Sequence, residues 1–428
     1  MAWSNQSKEY EKLLEIGRPP NVTRLFPNSR GLIVSGKFID RALTAKGHAM
    51  TIAANGRNSL IIRGVLKAAQ KANAAVIIEI AKSEGGSKSY CAVNYWNMAR
   101  QVDAVLNELG LTVPVAVHAD HYGIKNAGDL VKAKVEVPTM FEAGITSIAV
   151  DASHLPDADN LLSSVALNPY IPKWSGLETE VGEIKGDIGL STPEDALFLI
   201  QGLNAHDIFP DWIALNNGTT HGIQAESTGI HVELTAEVHK AIAPYGVSGA
   251  QHGTSGNDSE RLRQIAQKTR TTKANVATAL QMVSWGVMID DYGNAQLKDG
   301  QLQKVPGKGM SEELWEEIKA VGAEKSYKAG DYKSLNLPFE NKILSQPQEI
   351  RLRMESGVED FVYKLLTEVF NAKDTAPLLY EEIMKVKSYD PGVKAKRIED
   401  PAEWTEEKIR KKAQVLTPDK GPAGNFDD

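Results

Sequence analysis

Three histidines in this sequence are placed as metal ligands often are, each after a different predicted strand. His121, His221 and His252 each follow a different short apolar run. Three imidazoles that converge from separate segments would form a catalytic zinc site with a fourth position open to substrate. A zinc ion held in this way can polarise a carbonyl group without redox chemistry. The chain has a single cysteine, Cys91, so a metal must be bound by histidines and carboxylates.

The remaining histidines have a weaker case for chemistry. An isolated histidine is more often a solvated or core residue than a ligand. His118 lies three residues before His121 and is interpreted either as structural or as a partner that supports a metal ligand. His206, His231 and His239 lie in helical or connecting segments and are predicted at the surface.

Two further features next to these histidines suggest substrate chemistry. The run Gly253-Thr254-Ser255-Gly256 follows His252 and precedes a helix predicted to begin near Asp258. Such a turn presents backbone amides and a hydroxyl at a helix N-terminus, which suits a phosphate group. Asp120 precedes His121. Its carboxylate is either a general acid or base near the metal or a partner that orients a histidine.

The elements that position these residues alternate along the chain. Apolar, β-branched runs predict strands near residues 49–53, 75–80, 113–117, 145–150, 177–181, 212–215, 247–250 and 273–276. Segments with helical spacing separate them, which indicates βαβ units and a parallel sheet. Eight units over roughly 240 residues favour a closed α/β TIM-type (β/α)8 barrel, whose active site forms at the C-terminal ends of the strands.

Length and composition limit the class of protein. We expect one catalytic domain over 1–428, with N-terminal helices over 1–45, the barrel over 46–295 and a helical C-terminal extension over 296–428. The formal net charge of −7 argues against nucleic acid as a partner. No apolar run reaches the roughly 18 residues of a membrane span, and the N-terminus lacks the pattern of a signal peptide. A cytoplasmic protein without a membrane partner is therefore expected.

Taken together, the motifs resemble those of the class II fructose-bisphosphate aldolases. The resemblance covers about residues 46–295 and rests on the order and approximate spacing of six segments. These segments are residues 115–121, 148–155, 178–182, 192–196, His221-Gly222 and 252–256. The resemblance implies reversible cleavage of fructose 1,6-bisphosphate to dihydroxyacetone phosphate and glyceraldehyde 3-phosphate, a step of glycolysis and gluconeogenesis. It also implies a catalytic Zn²⁺, a monovalent cation (Na⁺ or K⁺), and a homodimer or homotetramer.

The resemblance also assigns roles to individual residues. The implied metal ligands are His121, His221, His252, Glu180 and Asp151. Asp120 and Asp187 are the implied catalytic acid–base residues, Asp120 acting on the C4 hydroxyl. The candidate substrate-binding residues are Asn55, Gly222, Gly253, Ser255, Asn275, Thr278 and Arg353. Arg353 resembles an arginine that binds the far phosphate, often across a dimer interface.

Four departures from the family pattern leave the sugar open. The acidic loop after the fifth strand is replaced by Gly182-Glu183-Ile184-Lys185-Gly186-Asp187-Ile188-Gly189, so either Asp187 or Glu183 would supply its acid. The eighth-strand motif, Asn275-Val276-Ala277-Thr278, is nearer to the tagatose-bisphosphate branch. Ala81 stands where the family has a serine, and no lysine follows His221-Gly222. The alternatives are an aldolase for tagatose 1,6-bisphosphate or another phosphoketose, a zinc hydrolase on the same barrel, or a non-catalytic relative.

Overall fold

Eight parallel strands close into a barrel at the centre of the molecule. The computed structural model describes residues 5–86, 89–182, 189–218, 229–254, 257–290, 293–298 and 300–416. The strands, in barrel order, are β1 (Thr51–Asn55), β2 (Val76–Ala81), β3 (Val115–Gly123), β4 (Ser147–Asp151), β5 (Gly176–Val181), β6 (Trp212–Leu215), β7 (Ser248–Gln251) and β8 (Thr271–Val276). Strand β8 pairs with β1 and closes the sheet. The predicted fold class, a TIM-type (β/α)8 barrel, is confirmed.

Strand β3 is longer than its apolar run predicts. The prediction stopped at Val117, whereas the strand continues to Gly123. The register between β3 and β4 shifts between Ala119 and Tyr122, after which Tyr122 and Gly123 pair with Val150 and Asp151. An irregularity of this kind lets pairing continue while it re-aims the side chains inside it. The polar motif therefore lies within the strand and not in the loop after it.

Helices surround the barrel and follow most of its strands. Those before β1 are α1 (Lys8–Gly17), α2 (Pro20–Leu25) and α3 (Gly36–Lys46). Those associated with the barrel are α4 (Ser59–Ala72), α5 (Lys82–Gly85), α6 (Met98–Glu108), α7 (Ala127–Glu142), α8 (Asp157–Leu167), α9 (Pro193–Ala205), α10 (Val232–Ile242), α11 (Ser259–Lys268) and α12 (Thr278–Trp285). At α9 the Thr192 side chain accepts from Asp195 N and Pro193 occupies the first turn, as the sequence predicts.

The C-terminal extension is helical and packs on the outside of the barrel. It begins with a hairpin of β9 (Leu297–Lys298) and β10 (Gln301–Leu302). Its helices are α13 (Glu312–Glu324), α14 (Asn336–Leu344), α15 (Gln348–Lys364), α16 (Thr375–Val386) and α17 (Glu406–Ala413). Helix α15 lies along α4, continues into a π-helical turn over Leu365–Val369, and buries Val358 and Val362 in the main core. Within the described ranges, no helix is both long and apolar enough to cross a bilayer.

Helix α3 covers the N-terminal end of the barrel. Gly36, its first residue, lies against the first residues of β4 and β5. A Cβ atom on Gly176 would lie 2.6 Å from Ser147 Oγ and 2.8 Å from Gly36 Cα. Because real side chains do not pack this closely, glycine at both positions allows the helix to approach the strand ends.

A segment of the C-terminal extension crosses the same end of the barrel. The Lys394 ammonium contacts the Asp40 carboxylate of α3 and lies 3.1 Å from Ser248 Oγ at the start of β7. Thr272 Oγ1 of β8 donates a second hydrogen bond to Asp40 at 2.7 Å. Asp40 is fully buried. The same contact therefore compensates a buried carboxylate and closes the N-terminal end of the barrel, which we call its floor.

The floor contact predicts a stability difference between two lysines. Lys394→Ala removes the cationic partner of a buried carboxylate, which costs about 3 kcal/mol when a buried pair is broken from one side. We expect urea unfolding to show a lower midpoint for this variant. Lys385→Ala is the matched control. Lys385 is largely exposed, and its ion pair with Glu382, at 3.5 Å, should contribute little to stability. Equal midpoints for the two variants would contradict this account of the floor.

Candidate active site

Two histidines and two carboxylates meet at the C-terminal end of the barrel. We name His121, Asp151, Glu180 and His252 the histidine–carboxylate cluster; they come from the ends of β3, β4, β5 and β7. The rings of His121 and His252 have centroids 4.2 Å apart. His121 Nδ1 lies 3.1 Å from Glu180 Oε1, and His252 Nδ1 lies 3.8 Å from Glu180 Oε2. Asp151 Oδ2 lies 3.5 Å from His121 Nδ1.

The backbone of His121 is in an unusual conformation. Its φ angle is +42°, in the left-handed region, which histidine adopts at an energetic cost. The residue lies inside the register shift between β3 and β4. The pairing on both sides of this shift holds the backbone in place. The strain is thus local and directs the imidazole toward Glu180 and Asp151.

His252 is held in one orientation by a buried carboxylate. Its Nε2 lies 2.7 Å from Glu178 Oε1, and both side chains are buried. Burial and the neighbouring His121 lower the pKa of His252, which favours the neutral ring. With Nε2–H donating to Glu178, Nδ1 is left as a lone-pair donor toward Glu180. Among the described residues Nδ1 has no hydrogen-bond partner.

The two carboxylates of the cluster have opposite pKa shifts. Burial raises the pKa of Glu180, and the charge of Asp151 raises it further. Burial also acts on Asp151, but its hydrogen bond and charge interaction with His121 lower its pKa to about 2. Two buried carboxylates this close repel each other unless a cation lies between them.

The donor set of the cluster suits a divalent metal ion. His121, Asp151 and Glu180 have ligand atoms within 4.8 Å of one another, and so do Asp120, His121 and His252. Imidazole nitrogen and carboxylate oxygen are zinc ligands, and a carboxylate on the far nitrogen of a ligand histidine is a common arrangement. The Nδ1 atom of His252, which is buried without a hydrogen-bond partner in the described structure, fits a bound cation.

Asp120 lies next to this cluster and is contacted from two sides. Asn275 Nδ2 lies 3.0 Å from each of its carboxylate oxygens, and Lys273 Nζ lies 3.1 Å from Oδ1. Burial alone would raise the pKa of Asp120, but the charge of Lys273 and nearby histidines hold it well below its usual range. The side chain is therefore an anion in a fixed position beside the histidine–carboxylate cluster.

Lys273 is the hub of a second group, which we name the Lys273 cluster. Its ammonium lies 3.1 Å from Glu79, 3.1 Å from Asp120 and 2.7 Å from Glu178. These groups come from β8, β2, β3 and β5 and are buried. The cluster thus connects Asp120 to His252 through Glu178. Glu79, His118 and Asp120 also have metal-like spacing, but the ammonium already supplies the cation there.

The candidate phosphate residues lie around the ends of β7 and β8. Gly253 has a φ angle of +60°, which a residue with a Cβ adopts with strain. Thr254 Oγ1 donates to the carbonyl of Asn275 and ties the two strand ends together. Thr278 is the first residue of α12, and Asp258 caps α11 as the sequence predicts. Backbone amides at such positions suit an anion.

Two other candidates have partners that the sequence did not indicate. Asn55 at the end of β1 donates from Nδ2 to Glu84, which also pairs with Arg57 at 2.6 Å. Arg353 lies on α15, where its guanidinium donates to the carbonyls of Gly309 and Met310 at 2.7 and 3.0 Å. The structure thus places Asn55 at the rim of the barrel end but does not bring Arg353 to the site within this chain.

Four predicted site residues lie outside the described residues. They are Asp187, His221, Gly222 and Ser255. The third histidine and the second acid therefore stay predictions.

Sequence reasoning missed Glu79 and Lys273 as members of the site, and it gave Glu178 no role beyond its place in the motif of residues 178–182. The available signal was a charged residue inside a short apolar strand, as for Glu79 within Val76–Ala81.

The prediction that His239 lies at the surface was wrong. His239 is buried, accepts a hydrogen bond from Arg270 N at 3.2 Å, and has its pKa lowered to about 3 by burial and Arg270. Its ring packs against Gly249 of β7, so this side of α10 faces the barrel and not the solvent.

The contact between Glu178 and His252 predicts a change in metal affinity. Glu178→Gln weakens the hydrogen bond that fixes the ring, and loss of such a partner costs roughly 10- to 100-fold in metal affinity. Competition with a chromophoric zinc chelator measures the effect. Glu355→Gln is the control, because Glu355 is also buried but pairs with Arg63 and Lys67 on the outside of the barrel. Equal zinc affinity in wild type and Glu178→Gln would refute the orienting role.

Comparisons with known sequences agree on one family. The sequence model described as fructose-bisphosphate aldolase class-II matches residues 38–326. The fructose-bisphosphate aldolase of Streptococcus pneumoniae serotype 4 is 30% identical over 261 residues, covering 58% of this chain and 80% of that protein. The fructose-bisphosphate aldolase of Staphylococcus aureus strain Mu50 is 26% identical over 249 residues, covering 56% of this chain and 79% of that protein.

Solved structures share the fold. The YdjI aldolase of Escherichia coli K12 superposes with a TM-score of 0.54 at 18% identity, covering 81% of this chain and all of that chain. The fructose-bisphosphate aldolase of Campylobacter jejuni gives a TM-score of 0.52 at 18% identity, covering 81% of this chain and 97% of that chain. At this identity the structures support the barrel alone. Together with the sequence match, they lead to one conclusion: the chain belongs to the class II fructose-bisphosphate aldolase family.

Proposed function

We propose that this protein catalyses the reversible, zinc-dependent aldol cleavage of fructose 1,6-bisphosphate. The observation that carries the proposal is the position of Asp120 beside the histidine–carboxylate cluster, with Asn275 and Lys273 fixing its carboxylate. A site of this kind would hold a Lewis acid and a base within reach of one substrate. Family membership supplies the reaction class, and the site supplies the groups that would perform it.

Asp120 is the base of the proposed reaction. In the cleavage direction it takes the proton of the C4 hydroxyl, the C3–C4 bond breaks, and an aldehyde forms at C4. Because the pKa of Asp120 is held low, the carboxylate is already ionised at neutral pH. In condensation the same group returns the proton. Asp187 or Glu183 is proposed as the acid that protonates C3.

His121, His252 and Glu180 are proposed to hold the zinc, with His221 as a further ligand and Asp151 beside them. When bound, zinc polarises the C2 carbonyl and stabilises the negative charge that develops on oxygen. Glu178 keeps the His252 ring in the orientation that ligation requires. The buried setting strengthens these interactions, because water does not screen them.

The ends of β7 and β8 are proposed to bind the phosphate of the dihydroxyacetone phosphate half. Gly253 and Thr278 lie there, and Gly222 and Ser255 would complete the site. Lys273 is fully committed to three carboxylates, so backbone amides and hydroxyls have to carry most of the recognition.

A second sugar, tagatose 1,6-bisphosphate, differs only in the configuration at C4. The run Asn275-Val276-Ala277-Thr278 favours this alternative, because it resembles the tagatose-bisphosphate branch of the family. Asn275 contacts the group that acts on the C4 hydroxyl. The site thus has a residue of that motif where the two sugars differ.

Cleavage of both sugars by purified protein tests the proposal. We expect formation of dihydroxyacetone phosphate that is abolished by EDTA and restored by zinc, with fructose 1,6-bisphosphate preferred over tagatose 1,6-bisphosphate. A reversed preference would establish the alternative sugar. If zinc-loaded protein cleaves neither sugar, the proposal is wrong, and hydrolysis of phosphoesters or the lack of any activity would then favour one of the other two alternatives.

Asp120→Asn tests the proposed base separately from the metal. Loss of a general base lowers kcat by roughly 100- to 10,000-fold, whereas zinc binding should persist because His121, His252 and Glu180 are retained. Asp207→Asn is the control, because Asp207 is an exposed residue that pairs with Arg397. Wild-type kcat in Asp120→Asn would exclude Asp120 as the base.

A further inference from the structure

One lysine inside the barrel is shared by three carboxylates. The Lys273 ammonium donates hydrogen bonds to Asp120 and Glu178, at 3.1 and 2.7 Å. It also lies 3.1 Å from Glu79 Oε2. Lys273, Glu79 and Glu178 have no exposed surface, and Asp120 is 2% exposed. Three anions against one cation would leave excess negative charge in a buried interior.

The three carboxylates are not equally supplied with donors. Asp120 accepts from Asn275 and from Lys273, and Glu178 is contacted by His252 and Lys273. Glu79 has one such contact, the Lys273 ammonium 3.1 Å from its Oε2, and in the part of the chain that the structure describes its Oε1 accepts no hydrogen bond. A buried anion with a single, shared cation and no other donor is far more costly than a buried neutral acid. Glu79 is thus the member of the cluster that is least able to carry a charge.

The groups that surround Glu79 also disfavour a negative charge on it. His118 and Asp120 face it from β3, Glu178 approaches from β5, and Lys273 contacts it from β8. Two of these neighbours are carboxylates already stabilised as anions. Burial and the charge of Asp120 raise the pKa of Glu79, and this outweighs the opposing effect of Lys273.

We propose that Glu79 is a positioning residue that works as a neutral carboxylic acid, holding the Lys273 ammonium against Asp120. As a neutral group it contacts the ammonium without competing for its full charge. Lys273 is then left to compensate Asp120 and Glu178. This inference rests on the proposed function only in that Asp120 is the base whose charge Lys273 maintains.

Infrared difference spectroscopy tests the protonation state without an activity assay. Spectra of the zinc-loaded wild type and Glu79→Gln are compared at about pH 8, well above the ordinary glutamate pKa. We expect the wild type to show a protonated-carboxyl stretch that shifts in D2O and is missing from the variant. Glu355→Gln is the control: Glu355 pairs with two cations, so this change should remove no such band. If the wild type and Glu79→Gln do not differ in this region, the proposal is overturned.

Kinetics test the positioning role. We expect Glu79→Ala to lower kcat by about tenfold or more with a smaller effect on KM, because Asp120 loses its support in the reaction step. Glu79→Gln should recover most of this loss, since a neutral amide oxygen can contact the ammonium. A Glu79→Gln variant no better than Glu79→Ala would overturn the neutral-acid role.

Two controls keep these outcomes separate. Thermal unfolding of both Glu79 variants shows whether a loss of rate reflects a loss of fold, and the infrared result stands if Glu79→Ala does not fold. If the wild type cleaves neither sugar, the proposed function fails, while the infrared comparison still decides the state of Glu79.

Discussion

The Lys273 ammonium is buried in the barrel interior, and three carboxylates from three other strands surround it. Removing such a charge from water costs several kcal/mol, and the cost is recovered only if partners and geometry are nearly complete. Two of these carboxylates also have a second task. Asp120 stands beside the histidine–carboxylate cluster, and Glu178 orients His252. The charges in the barrel interior and the geometry of the site therefore depend on each other. A substitution of Lys273 on β8 would alter the environment of Asp120 on β3 and Glu178 on β5.

The rest of the fold encloses and supports this arrangement. Helix α3 and the segment around Lys394 cover the N-terminal end of the barrel, where Gly36 and Gly176 permit close contact. Strand pairing on both sides of the β3 irregularity holds His121 in its left-handed conformation. These features are distant from one another along the chain. They act together because a closed barrel transmits the position of each strand to the next.

Much of the fold was predictable from the sequence because its signal is local. Apolar, β-branched runs marked the starts of all eight strands within a few residues, and Thr192 and Asp258 marked helix starts. The length of β3 was not predictable, since pairing with β4 carries the strand through polar residues. His239 was misplaced for a similar reason: its helical position suggests a surface, but packing against Gly249 buries it.

The site was predictable only in part. His121 and His252 follow apolar runs, so their meeting could be inferred from the barrel. Glu79 and Lys273 looked like isolated charges, because their pairing depends on which strands face each other across the interior. Arg353 was assigned from resemblance alone, and in this chain its guanidinium binds the carbonyls of Gly309 and Met310.

X-ray absorption spectroscopy of the zinc-loaded protein at the zinc edge tests the central claim most directly, because it reports the ligands of the metal without an assumption about substrate. The account predicts a shell of nitrogen and oxygen at about 2.0–2.1 Å with the scattering pattern of several imidazoles. This pattern should weaken in His252→Ala. A shell without imidazole scattering, or one with sulfur at about 2.3 Å, would contradict a metal centre built on His121 and His252.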